Sequence, residues 1–157
     1  MFQSIVALVI LTATITSAAA QPVEIPSAGD AMPEAQSLIT PSDDLATFLW
    51  TARPVVVFAD TPNDPRFIQQ MELLEARKQE LFDRDVVVLV DTDPDAMSPL
   101  RTKLRPRGFS LVLLGKDGQV VIRKPAPWNV RELTRQIDKM PLRKQEVRDR
   151  ALLNSGG

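Results

Sequence analysis

Two uninterrupted apolar runs, Val55-Val56-Val57-Phe58-Ala59 and Val86-Val87-Val88-Leu89-Val90, constrain this chain more than any other feature. Each has the length of a strand and is rich in β-branched residues, and neither alternates with polar positions. A strand covered on both faces reads this way, as in a parallel sheet packed between helices. Between them, Asp64 as cap and Pro65 at the first helical position open a helix whose apolar residues Phe67, Met71, Leu74 and Leu81 fall at helical spacing. Strand, helix and strand make a βαβ unit, for which a parallel, right-handed arrangement is expected.

The rest of the chain supplies further elements. Ser42 is read as the cap of a short helix ending near Trp50, with Asp43 and Asp44 in its first turn. Ser98-Pro99 opens another that stops before Pro106. Leu111–Leu114 and Val120–Ile122 flank Gly115-Lys116-Asp117-Gly118, whose Asp-Gly predicts an antiparallel hairpin. Asn129 with Glu132 three residues on predicts a capping box, with Val130, Leu133, Ile137 and Met140 on one face. After Pro141 a basic helix is expected over Leu142–Leu153.

At the N-terminus, the apolar stretch from Ile5 to Ile15 leads to Ala18-Ala19-Ala20, the pattern of a signal peptide over residues 1–20, although Met1-Phe2-Gln3 adds only the α-amino charge. Export to the periplasm or beyond is expected, with membrane association only if that segment is retained. Residues 21–41, with Pro22, Pro26, Pro33 and Pro41 and no apolar periodicity, read as a flexible tether. The domain is expected at 42–150 and a mobile tail at 151–157.

The chain contains no Cys, His or Tyr. Thiol and imidazole chemistry are therefore impossible, and with them dithiol exchange and the usual ligands of zinc, copper and haem. Any catalyst here would use carboxylates, Lys, Arg, Ser or Thr, in glycoside or metal-assisted chemistry. Charge is unevenly spread. Residues 101–150 carry fourteen bases against five acids, whereas 21–65 carry seven acids against Arg53 alone. In an exported protein that basic half suits an anionic polymer, lipid head groups or an acidic protein, not nucleic acid.

The order βαβ, helix, hairpin, helix resembles the three-layer α/β/α thioredoxin-like layout. Val55-Val56-Val57-Phe58 leading to Asn63-Asp64-Pro65-Arg66 is similar to its strand and C-G-P-C turn, with Asn63 and Arg66 in the cysteine places and Pro65 in the proline place. Arg107-Gly108-Phe109-Ser110 resembles the loop bearing the cis-proline, here Ser110. Over Leu45 to Arg148 the chain resembles the exported DUF4174 domains, with relatives in vertebrate extracellular-matrix and sushi-repeat proteins. The residues that carry this are Trp50 with Arg53–Phe58, Asp64-Pro65-Arg66, Gly108-Phe109, Gly115–Gly118 and Met140–Arg148. The resemblance implies a thioredoxin-like fold and export, and brings no reaction with it.

The candidate binding site is accordingly Asn63, Asp64, Arg66 and Ser110, at the helix N-terminus where such folds do their work. No catalytic residue, metal or cofactor is assigned, and the expected role is a non-catalytic binding or scaffolding module for an envelope protein or peptide. One alternative is an enzyme using Asp64, Asp91 or Asp93. Asp91-Thr92-Asp93-Pro94-Asp95 imitates half an EF-hand loop, but Ala96 and Thr102 stand where Gly and Glu are needed. The other is an envelope stress protein whose basic C-terminal half holds an anionic polymer; within that half, Arg143, Lys144, Arg148 and Arg150 are read either as a solvated helix face or as a surface for an acidic partner or membrane. Trp128 is read either as an exposed anchor or as a helix-entry residue covering the core.

Overall fold

The computed structural model describes residues 37–40 and 42–155. The expected signal peptide and most of the expected tether lie outside the described residues. After a 3-10 turn at Leu45–Phe48, the chain forms β1 (Arg53–Phe58), α1 (Pro65–Glu75), α2 (Lys78–Phe82), β2 (Val86–Asp91) and α3 (Pro99–Leu104). Then follow β3 (Ser110–Leu114), β4 (Val120–Lys124), α4 (Val130–Lys139) and α5 (Pro141–Ser155).

The sheet order is β2-β1-β3-β4. β1 runs parallel to β2 and antiparallel to β3, and β3 is antiparallel to β4. Every residue of β1 and β3 is buried. Their side chains alternate between two cores, which is why the sequence shows no polar alternation. Val55, Val57, Leu111 and Leu113 pack on one face with Leu74 of α1, Leu81 of α2 and Val130, Leu133 and Ile137 of α4. Val56, Phe58, Val112 and Leu114 pack on the other with Leu45, Phe48 and the α3 residues Leu100 and Leu104. The result is three layers, helices on both faces of one mixed sheet.

Several elements differ from the sequence reading. The first helix is a 3-10 turn capped by Asp44, whose carboxylate accepts the Ala46 N–H at 2.8 Å, and Ser42 hydrogen-bonds Asp44 instead. The expected single helix after Asp64 breaks at Ala76 and Arg77, where Arg77 leaves helical backbone at φ −132° and ψ 32°. Leu74 and Leu81 nonetheless reach the same core. Asn129 caps α4 through the Arg131 N–H at 2.7 Å, but Glu132 pairs with Arg135, so no reciprocal capping box forms. α5 extends to Ser155, past the boundary placed at 150. Its sequence holds no Gly or internal Pro to stop it sooner. Residues 38–40, read as tether, lie against the β2 edge: Val88 N–H donates to Leu38 and Thr40 N–H to Val88, with Leu38 buried.

The hairpin turn fixes the position of one glycine. Gly118 has φ +76°, and a Cβ there would meet Leu49 Cδ2 at 2.8 Å. Gly118→Ala is expected to lower stability by roughly 1–2 kcal/mol, mostly from left-handed backbone strain, measured by urea unfolding. Gly108→Ala has open space in comparison, its nearest contact being Asp60 at 3.6 Å, and isolates the strain contribution alone.

Candidate functional site

The loop expected to bind is found at the carboxyl end of β1, but its charges are turned on each other. The Asp64 carboxylate accepts the Arg66 backbone N–H at 2.8 Å, its Nε–H at 3.1 Å and its Nη2–H at 2.8 Å. These bonds from Arg66 hold the Asp64 carboxyl below its ordinary range, and the same partner raises Arg66. The Arg66 guanidinium also lies 5.6 Å from the Phe109 ring centroid. The positive end of α1 thus already carries a carboxylate. Asn63 is exposed, its N–H donating to Thr61 Oγ1 at 3.3 Å. Ser110 pairs with Phe58 across β1 and β3 and is buried, whereas Asn63 and Arg66 are exposed. The fold brings Asp64, Arg66 and Phe109 together and sets Ser110 behind them.

The acids proposed for catalysis act on backbone and on Arg101. Asp91 accepts Arg101 Nε–H at 2.8 Å and the Asp93 N–H at 3.2 Å, and its other oxygen accepts the Ser98 hydroxyl. Arg101 continues to the Ala59 carbonyl at 2.6 Å and lies over Phe58, 5.5 Å from the centroid. Asp93 accepts the N–H groups of Asp95 and Ala96. Among the described residues no group of three or more acids is gathered as metal ligands would be. Trp128 is half-buried against the core and locked by Gln70: its N–H donates to Gln70 Oε1 at 2.7 Å, and Gln70 Nε2 donates to its carbonyl at 3.2 Å. It is the helix-entry residue of the two readings.

At the opposite end of β1 lies an arrangement that sequence reasoning did not assemble. Arg53, the first residue of β1, is fully buried. Its Nη2 donates to both oxygens of Glu146 on α5 at 2.9 Å and its Nη1 to the Arg84 carbonyl at 2.9 Å, with Asp85 at 3.7 Å. Lys116, in the hairpin turn, contacts Asp85 at 2.8 Å and Glu146 at 2.9 Å. Burial pushes the Glu146 carboxyl up, but the bonds from Lys116 and Arg53 outweigh that and hold it below its usual range. The first residue of the strand had been a visible signal: a charged side chain opening a run buried on both faces must find partners.

Beside this cluster opens a cleft of about 490 Å³, walled by Trp50, Lys116, Val121, Met140, Pro141 and Leu142. Trp50 is 69% exposed and adopts a left-handed backbone at φ 64°, its N–H donating to the Lys116 carbonyl at 2.7 Å. Positive φ is uncommon for a non-glycine residue, and such strain clusters at functional sites. Its apolar walls give the pocket an anchor surface, while Arg53 and Lys116 along its lining are already paired with Glu146 and Asp85.

A parallel pair β1 and β2, an antiparallel β3-β4 hairpin and helices on both faces define a thioredoxin-like α/β protein. A comparison with curated proteins found no match. The chain belongs to the family described as domain of unknown function (DUF4174), whose model matches residues 44–146. Among solved structures, it is similar to the mitochondrial 2-Cys peroxiredoxin from Plasmodium falciparum, at 19% identity and a TM-score of 0.41, over 60% of this chain and 79% of that one. Among the described residues no helix is long and apolar enough to cross a membrane.

Proposed function

We propose that this is an exported, non-catalytic binding module that holds a protein or peptide partner at the Trp50 cleft. The observation that carries the reading is Trp50 itself, exposed, left-handed and set over an apolar cleft. Tryptophan is the commonest kind of binding anchor because it covers much area with few rotatable bonds. Its backbone strain, about 1–2 kcal/mol, is tolerated where a side chain must be aimed. The apolar walls Val121, Met140, Pro141 and Leu142 favour a partner that presents an apolar side chain. The loop at Asn63–Arg66 is a weaker site, because Arg66 there is already paired with Asp64. The reading of export rests on the apolar run before Ala18-Ala19-Ala20.

The test is affinity capture from envelope extract with the wild-type chain, Trp50→Ala and the double variant Asn63→Ala/Arg66→Ala, compared by mass spectrometry. A partner retained by the loop variant and at least tenfold depleted with Trp50→Ala is the expected result, corresponding to a lost anchor of about 1.4 kcal/mol or more. The reverse pattern would return the site to the loop. Equal capture by all three chains would remove both.

A further inference from the structure

We propose that the corner between α4 and α5 is an oxyanion-binding site centred on Arg143. Four cations and three carboxylates meet at this end of the domain. Glu146 is held by Arg53 and Lys116, Asp138 by Arg84 through two bonds of 2.9 Å, and Asp85 by Lys116. Arg143 is the most loosely paired of these cations. Its side chain is 9% exposed, with Nε 3.7 Å from Asp138 and Nη1 3.6 Å from Glu146, within ion-pair distance but beyond hydrogen-bond reach, and among the described residues neither donor has a hydrogen-bond partner.

A guanidinium taken out of water without hydrogen bonds is costly, and the carboxylates near it are already neutralised by better-placed partners. An anion removes that cost. The space for one is present: a cavity of about 430 Å³ lined by Arg84, Asp138, Arg143, Lys144 and Val147. Three of those five residues are cationic, and Asp138, the acid among them, is occupied by Arg84. Guanidinium and ammonium side by side match the oxygens of a phosphate or sulfate group. The volume lies in the range of small-molecule sites, so the oxyanion is either free or carried on a small molecule.

The test is isothermal titration of the full chain with inorganic phosphate, and separately with glucose 6-phosphate, at constant ionic strength maintained with chloride. Saturable binding of at least one is expected. Arg143→Gln should abolish it, and Lys144→Ala, at an exposed position that folding does not require, should weaken it roughly tenfold. Arg148→Ala, on the exposed side of α5, should leave it unchanged. Tighter binding of the sugar phosphate identifies a carried group; equal or weaker binding identifies the free anion. If Arg143→Gln fails to fold, as judged by circular dichroism, Lys144→Ala decides alone. Non-saturable heats from both ligands, or wild-type affinity in Lys144→Ala, would overturn the proposal. General salt stabilisation is neither saturable at millimolar concentration nor sensitive to one lysine.

Discussion

Glu146→Ala is expected to lower the stability of this domain by about 3–5 kcal/mol, a large share of the total for a domain of this size. Arg53 has no exposure and, among the described residues, its only hydrogen bonds to a carboxylate are donated to Glu146. Truncation leaves that charge buried with Asp85 at 3.7 Å, and Lys116 competes for the same oxygen at 2.8 Å. Glu146→Gln, which keeps shape and acceptors, should cost less. The double replacement Arg53→Met/Glu146→Leu should cost less than Glu146→Ala, because it removes the charge together with its partner. The pH dependence has a definite sign. Glu146 has its folded pKa depressed below 4.5, and so does Asp138 below 3.8, the latter by Arg84. Their contribution is full above those values and is lost as pH falls through the lower folded ones. Urea unfolding at pH 7 and pH 3 should show the wild type losing more stability on acidification than Glu146→Gln. A loss under 1 kcal/mol for Glu146→Ala at pH 7 would mean that Arg53 is compensated by other groups.

The parts of the fold that sequence made legible are those set by local pattern. Val55–Phe58 and Val86–Val90 read as doubly covered strands because both faces are covered, and Asp64-Pro65, Ser98-Pro99 and Asn129 read as helix starts because capping is a matter of two or three adjacent residues. The break at Ala76-Arg77 left no such mark, since no Gly or Pro stands there and apolar spacing continues through Leu81. The ion cluster was invisible for a different reason. Arg53 and Glu146 are separated by 93 positions, and nothing local in either neighbourhood names the other. Trp50 and Arg53 stood out as part of a family pattern, but their role depends on the left-handed turn and on α5 folding back. The expected loop lies at the start of α1, as its cap and proline foretell, while the closure of Arg66 onto Asp64 depends on side-chain geometry that no spacing rule encodes.

Phe58→Ala is expected to cost about 3–5 kcal/mol, toward the upper end of that range. Its ring is fully buried in the smaller of the two cores, covered among the described residues by a 3-10 turn of four residues and by the six residues of α3. β1 is paired on both sides, to β2 and β3, so the backbone cannot move inward to fill the cavity. The loss also removes the face on which Arg101 rests, while the bonds from Arg101 to Asp91 and Ala59 remain available. Phe58→Leu retains most of the volume and should cost less than half as much. A double-mutant cycle with Arg101→Met separates the two contributions, with a coupling of about 0.5–1 kcal/mol expected for the cation over the ring. Arg101→Met should also be costly alone, because it strands the buried Asp91 carboxylate with only Ser98 and a backbone N–H. If Phe58→Ala costs under 1 kcal/mol, the face covered by α3 is not a rigid core, and the Asp91–Arg101 pair would then be the principal tie between β2 and that helix.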